Sequence, residues 1–154
     1  MKYRQLGFGG MQVLIAIVVL ATVTLVAVPK YKSFVTKSKI TEAFGLAGES
    51  KQKLSQFYMV NNRFPLTASE AEVSKSWSLS PPKFVSRMEV KPGYRNHDIA
   101  VIVYLKDGVV ENETGGAQFI YIAGDKTPNS ESAVRWTCGA NGIAADLLPD
   151  NCVE

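Results

Sequence analysis

A chain of 154 residues suggests one domain with at most a short appended segment. Hydrophobic residues make up 46% and charged residues 20%, the average of an ordinary globular protein, and a formal net charge of +3 is too weak to imply a nucleic-acid partner by itself. The average conceals an uneven distribution: from Phe8 to Val28 there is no Asp, Glu, Lys, Arg or His, and the rest suffices for a small core only.

Residues 1–7 (Met-Lys-Tyr-Arg-Gln-Leu-Gly) are short, basic and end in glycine. With Lys2 and Arg4 set aside the remainder is close to neutral. The uncharged run Phe8 to Val28 is just long enough to cross a bilayer, since a helix rises ~1.5 Å per residue and spanning takes ~20 apolar residues. The basic residues before it would stay cytoplasmic and put the C-terminal body outside. An ordinary cleaved signal peptide fits poorly, because the run is too long and Leu25-Val26-Ala27 is a poor small-x-small site. A plain anchor, and a segment cut before the run so that the run survives, both remain open on hydrophobicity alone.

After Pro29, Tyr31, Phe34, Val35, Ile40, Ala43, Phe44, Ala47, Leu54, Phe57 and Tyr58 recur at roughly helical spacing. Lys30, Lys32, Lys37, Lys39, Glu42, Glu49, Lys51 and Lys53 fill much of the other face. The spacing predicts one long helix from about Phe8 to about Val60, kinked at Pro29, with its second half packed on a sheet. Asn61-Asn62 and Pro65 end it. Ser69 to Lys75 suits a short helical turn, broken by Pro81-Pro82, and Phe84 to Val90 suits a strand ended by Pro92-Gly93. Ile99 to Leu105 is a strong strand, followed by a Lys106-Asp107-Gly108 turn and a short partner strand starting at Val109-Val110. Gln118 to Ala123 is a second strong strand, Gly124 to Ser130 a loop, and Val134 to Cys138 the last strand.

The two cysteines, Cys138 and Cys152, lie close together near the C-terminus. A body carried across a membrane meets an oxidising compartment, where such a pair forms a disulfide; buried free thiols in a cytosolic protein are the alternative. Asp146 and Asp150 lie between them with no Lys or Arg, so this loop would repel phosphates. No enzyme is expected, and no cofactor or metal. His97 beside Asp98 lacks an accompanying nucleophile elbow, metal cluster or phosphate loop, and Gly9-Gly10 and Gly115-Gly116 lack the strand–helix frame of a phosphate site. Asn112-Glu113-Thr114 fits a glycosylation triplet, a pattern common by chance.

Taken together the motifs resemble those of type IV pilins nearly end to end. Gly7-Phe8 after a short basic leader looks like the prepilin peptidase site, which in that family is cut after the glycine and methylated on the new N-terminal phenylalanine. Pro29 and Tyr31 fall where the family has its helix proline and following tyrosine. Phe57-Tyr58, Asn61-Asn62 and Pro65 resemble the family's pattern at the helix end. Trp136-Thr137-Cys138 and Leu148-Pro149-Asp150-Asn151-Cys152 resemble its C-terminal disulfide loop, which favours a true pilin over a secretion pseudopilin.

The resemblance implies an α+β pilin fold: a long bent N-terminal helix on a small antiparallel sheet, with a C-terminal disulfide-closed loop. The expected segments are a leader at 1–7, a transmembrane and filament-core helix at 8–28 and a globular head at 29–154. The implied partners are other pilins in a pilus filament, prepilin peptidase, and the assembly platform and ATPases. The implied places are the bacterial inner membrane, with the head in the periplasm, and then the surface pilus. Adhesion, twitching motility and DNA uptake are the uses this implies, by a major or a minor pilin; a type II secretion pseudopilin is an alternative. The family usually has Phe-Thr-Leu-Ile-Glu after the cut, whereas this chain has Phe8-Gly9-Gly10-Met11-Gln12. Gln12 thus replaces a carboxylate thought to pair with a neighbouring subunit's N-terminal amine, keeping the shape without the charge. Gly9 and Gly10 weaken the helix start by roughly 1 kcal/mol each relative to alanine. A DNA-uptake pilin would carry a basic stripe with aromatics. Lys83, Arg87, Lys91 and Arg95 are the candidate DNA contacts, although their spacing of four is not expected to put all of them on one strand face unless the segment is helical or twisted.

Overall fold

The computed structural model of the chain describes residues 9–73, 82–110, 116–127, 130–150 and 152, without the side chains of 25–27, 29 and 130–132. The leader, the Gly7-Phe8 bond, Pro81, Gly115 and the Asn112-Glu113-Thr114 triplet lie outside the described residues, as does the side chain of Pro29. The chain divides into two compact units, Met1–Val35 and Thr36–Glu154. One helix, α1 (Gly10–Asn61), contributes to both.

In the first unit the helix has no polar face. Met11, Leu14, Val18 and Leu20 are all exposed, as large apolar side chains must be on a helix that is apolar all round and has nothing of its own unit to pack on. The polar exceptions satisfy themselves locally: Thr22 Oγ1 donates to Val19 O and Thr24 Oγ1 to Ala21 O, each at 2.9 Å. Among the described residues no helix is long and apolar enough to cross a membrane; the described side chains of the uncharged run stop at Thr24 and resume at Val28. Tyr31 and Phe34, expected in the core stripe, are 70% and 72% exposed. Helical periodicity marks a face but not where along that face burial begins.

In the second unit burial begins at Ile40 and continues through Ala43, Ala47, Ser50, Leu54 and Tyr58, steps of three or four that keep to one side of a helix. Small residues occupy the middle of the stripe, and the one hydroxyl there, Ser50 Oγ, donates back to Leu46 O at 3.2 Å. The helix ends where Asn62 takes a left-handed φ of 51° and donates its N–H to Tyr58 O, while Asn61 Nδ2 donates to Phe57 O. Beyond the cap, Phe64 stacks on Tyr58 with ring centroids 4.6 Å apart.

The sheet has four antiparallel strands in sequence order: β1 (Val85–Pro92), β2 (Ile99–Leu105), β3 (Phe119–Thr127) and β4 (Ser130–Asn141). Strand alternation sends Val101 and Val103, with their partners Ile122 and Ile120, to one face, which joins the helix stripe in the core. The other face carries Ala100, Ile102, Tyr121 and Ala123 as a smaller cluster. Cys138 and Cys152 are bonded across a separation of 14 residues, and Cys152 and Leu148 are buried against the core. A loop of that size constrains the unfolded chain by roughly 3 kcal/mol in the chain-entropy picture.

Several strand boundaries differ from expectation. Val109-Val110 forms no strand: β2 pairs directly with β3, and the two valines are buried after a turn at Gly108, with Val110 O accepting from Gln118 Nε2 at 3.0 Å. Their apolar character reflects burial without ladder pairing. The expected loop at Gly124 is instead sheet: β3 continues to Thr127 and pairs Gly124 with Trp136 and Asp125 with Arg135. Polar residues there are held in the strand by ladder pairing with β4, with Asp125 half-buried and Lys126 exposed. β4 likewise extends past Cys138 to Asn141.

The stripe predicts a steep contrast along one helix. Replacing the fully buried Leu54 by alanine lowers unfolding stability by about 2–5 kcal/mol, whereas Met59→Ala, at a 63% exposed position, stays within about 0.5 kcal/mol. Denaturant unfolding of the full chain in mild detergent measures both.

Candidate functional site

Three surfaces carry candidate functional residues: the exposed helix of the first unit, the disulfide loop, and the outer face of the sheet. On the first, Gln12 is exposed and its backbone N–H donates to Gly9 O at 2.8 Å, closing the first turn of α1. Pro29 lies inside the helix, where it removes one backbone donor. On the second, Asp146 lies within a short 3-10 turn (Ala145–Leu147), and Asp146 O accepts from Lys37 Nζ at 3.5 Å.

The outer sheet face gathers basic and aromatic side chains. Arg87 Cζ lies 3.8 Å from the Tyr104 ring centroid, Lys91 Nζ 5.8 Å from that of Tyr94, and Arg95 Cζ 5.6 and 5.4 Å from those of Tyr94 and Tyr121. Such contacts stabilise by ~0.5–1 kcal/mol at exposed sites. Three of the four basic residues expected as a stripe therefore do share a face. As expected, not all four lie on one strand face, but the strand period of two sends Arg87 and Lys91 the same way, and Arg95 joins them from the β1–β2 turn with a φ of 47°. Lys83 lies before β1, in the turn leading into it. Glu89, on the same face, pairs with Arg87 at 3.2 Å and accepts from the Tyr104 hydroxyl at 3.3 Å. Gly139 on β4 leaves room for the Tyr121 ring, since a Cβ there would overlap its hydroxyl and make the ring shift. Aromatics at alternate positions, Phe119 and Tyr121, are the signal that marks this face in the sequence.

His97 and Asp98 tie the β1–β2 turn to β3. His97 Nδ1 lies 2.9 Å from Asp125 Oδ2, the Asp98 N–H donates to Asp125 Oδ1 at 3.3 Å, and the Lys126 N–H donates to Asp98 Oδ2 at 2.8 Å. Arg135 adds a longer contact to Asp125 Oδ2 at 3.8 Å. Burial pushes the Asp125 carboxyl up, but the His97 and Asp98 hydrogen bonds and the charges of His97 and Arg135 outweigh it and hold it below the usual carboxylate range. Nearby, Arg63, Phe64, Pro65, Leu66, Pro92, Asp98 and Lys126 line an open cleft of about 420 Å³. Arg63 is engaged by Glu70. Among the described residues no group of three or more His, Cys, Asp or Glu is placed to hold a metal ion.

A long N-terminal helix, a four-stranded antiparallel sheet and a disulfide closing the C-terminal loop are therefore on one chain. The family model for pilins, the subunits of bacterial filaments, matches residues 36–153. The chain belongs to the pilin family. The pilin is 27% identical to the type IV major pilin protein PilE1 of Neisseria gonorrhoeae over 139 residues, covering 90% of this chain and 78% of that protein. It is 27% identical to the fimbrial protein EcpC of Eikenella corrodens over 152 residues, 99% of this chain and 93% of EcpC. A fimbrial protein of Neisseria meningitidis serogroup A is 26% identical over 139 residues, 90% of this chain and 75% of that one. As a type IV pilin the chain has the helix, sheet and disulfide expected from its motifs.

Asp125 gives this pilin an acid-sensitive link. Its folded pKa lies below the unfolded value of ~3.9, so the stability it contributes is present in full above that value and lost as pH falls through the folded one. Asp125→Asn should lower stability at pH 7 by about 1–2 kcal/mol and flatten the decline below about pH 4, as read by thermal unfolding across pH.

Proposed function

We propose that this pilin is a structural subunit of a type IV pilus, cut after Gly7, methylated on Phe8, held in the inner membrane with its head in the periplasm, and then assembled into a surface filament. The observation that carries the reading is the first unit's helix, whose large apolar side chains are exposed wherever they are described. An apolar patch of that extent needs a bilayer or other helices to cover it. The uncharged run Phe8 to Val28 supports a bilayer in the stored subunit, and side-by-side packing of such helices in a filament core covers the same surface again by close van der Waals contact. Prepilin peptidase, the assembly platform and its ATPases are the partners this route requires. The heads then form the outside of the filament, where adhesion and motility act.

Gln12 bears on how readily the subunit assembles. A side-chain amide offers a hydrogen bond to a neighbour's amine but no charge attraction, and in an apolar core that difference is large. The reading is a specialised or minor pilin whose recruitment is weakened at this position. Gln12→Glu should raise the number of surface pili severalfold, scored by immunogold counting with Phe8 methylation followed in parallel; unchanged counts and methylation would remove Gln12 from the account.

A second reading is favoured by the Arg87, Lys91 and Arg95 cluster on its aromatic face: direct contact with DNA during uptake. Retention of duplex DNA by the detergent-solubilised full chain should then weaken with salt, and Arg87→Gln with Lys91→Gln should reduce the log–log salt slope by roughly one per lost phosphate contact. Absence of retention at low salt would leave the filament role alone.

A further inference from the structure

The residues that close the first unit are unlike the rest of it. After Pro29 come Lys30, Tyr31, Lys32 and Phe34, directly behind the uncharged run. All four are exposed, and the two aromatics do not enter the core. Among the described residues neither lysine has a hydrogen-bond or ion-pair partner, and no acidic residue occurs in α1 before Glu42. Bare ammonium groups and bare rings at the end of an apolar helix form the composition of a membrane–water interface: rings at headgroup depth, lysine stems along the hydrocarbon, charges outward.

The arrangement around the helix selects the occupant. At ~100° per residue, Lys30 and Phe34 share one face, while Tyr31 and Lys32 point to other sides. A protein partner lying along one side would meet only part of this ring, whereas a bilayer surrounds a helix on every side. The charge also runs against the usual bias. In the orientation proposed above, Lys30 and Lys32 lie on the non-cytoplasmic side, although basic residues favour the cytoplasmic one. A negative surface on the far side would compensate for them.

We infer that Lys30, Tyr31, Lys32 and Phe34 form an interfacial collar that binds the phosphate headgroups of anionic phospholipids at the outer surface of the inner membrane. The inference rests on the membrane orientation proposed for the stored subunit. The collar holds the pilin at a fixed depth after the leader, with Lys2 and Arg4, has been removed, and these headgroup contacts are released when the helix enters a filament.

The test uses the full chain in mixed micelles holding equal phosphatidylglycerol and phosphatidylcholine, with retained lipid identified by native mass spectrometry. The wild type should retain phosphatidylglycerol in preference to phosphatidylcholine. Lys30→Gln with Lys32→Gln should reduce that preference by roughly fivefold per lysine, the equivalent of about 1 kcal/mol each. Lys51→Gln with Lys53→Gln, which removes the same charge from the head, should leave it unchanged. No preference in the wild type, an unaltered preference in the collar variant, or an equal loss in the head variant would overturn the collar. Flotation with phosphatidylcholine vesicles separates the two levels: wild type and collar variant should both float, and a wild-type chain that stays behind would overturn the membrane reading together with the collar.

Discussion

Apolar surface has to be covered, and this chain meets that requirement in two ways along one helix. From Ile40 to Tyr58 the apolar residues are confined to a stripe, and the inner face of the sheet covers them within the same molecule. From Met11 to Val28 they run without a polar face, and the large ones among the described side chains are exposed. The first arrangement yields a head with its own core. The second yields a segment whose free energy depends on what surrounds it, which is the physical requirement for a subunit that moves between a bilayer and a polymer.

The head carries a core of its own. Ala43, Ala47 and Ser50 occupy the middle of the stripe, and Ile40 and Leu54 above and below them are fully buried. The Cys138–Cys152 bond anchors an irregular tail whose own contribution to the core is limited to a few residues such as Leu148. On the far side of the sheet, guanidinium and ammonium groups cover the aromatic rings, so a face that would otherwise be apolar remains wettable. Asp125, with His97, Asp98 and Arg135, fastens the turn from which Arg95 projects.

Much of this was legible in the sequence because it depends on local pattern. The uncharged run, the helical period and the Asn61-Asn62 stop defined α1 to within two residues at its start and one at its end. An unbroken run of apolar, mostly β-branched residues located β2 with both of its boundaries. What escaped depends on partners distant in sequence. Val109-Val110 has the residue types of a strand, but its place beside β2 is taken by β3. Asp125 and Lys126 have the residue types of a loop, yet they pair with Arg135 and Val134 across a hairpin. The basic cluster was visible as residues, and the two-residue period of a strand brings Arg87 and Lys91 together while Lys83 stays outside. The His97–Asp125 contact joins residues 28 positions apart, and no local pattern announces it.

The central claim is that the exposed helix is the part of this pilin that polymerises, after a cut that leaves it intact. Mass spectrometry of filaments sheared from the surface of cells expressing the chain tests this most directly. The account predicts an N-terminal peptide beginning at methylated Phe8, recovered from the filament fraction together with the disulfide-linked peptides of Cys138 and Cys152. Recovery of the chain only with its leader attached, or only from fractions free of filaments, would contradict it.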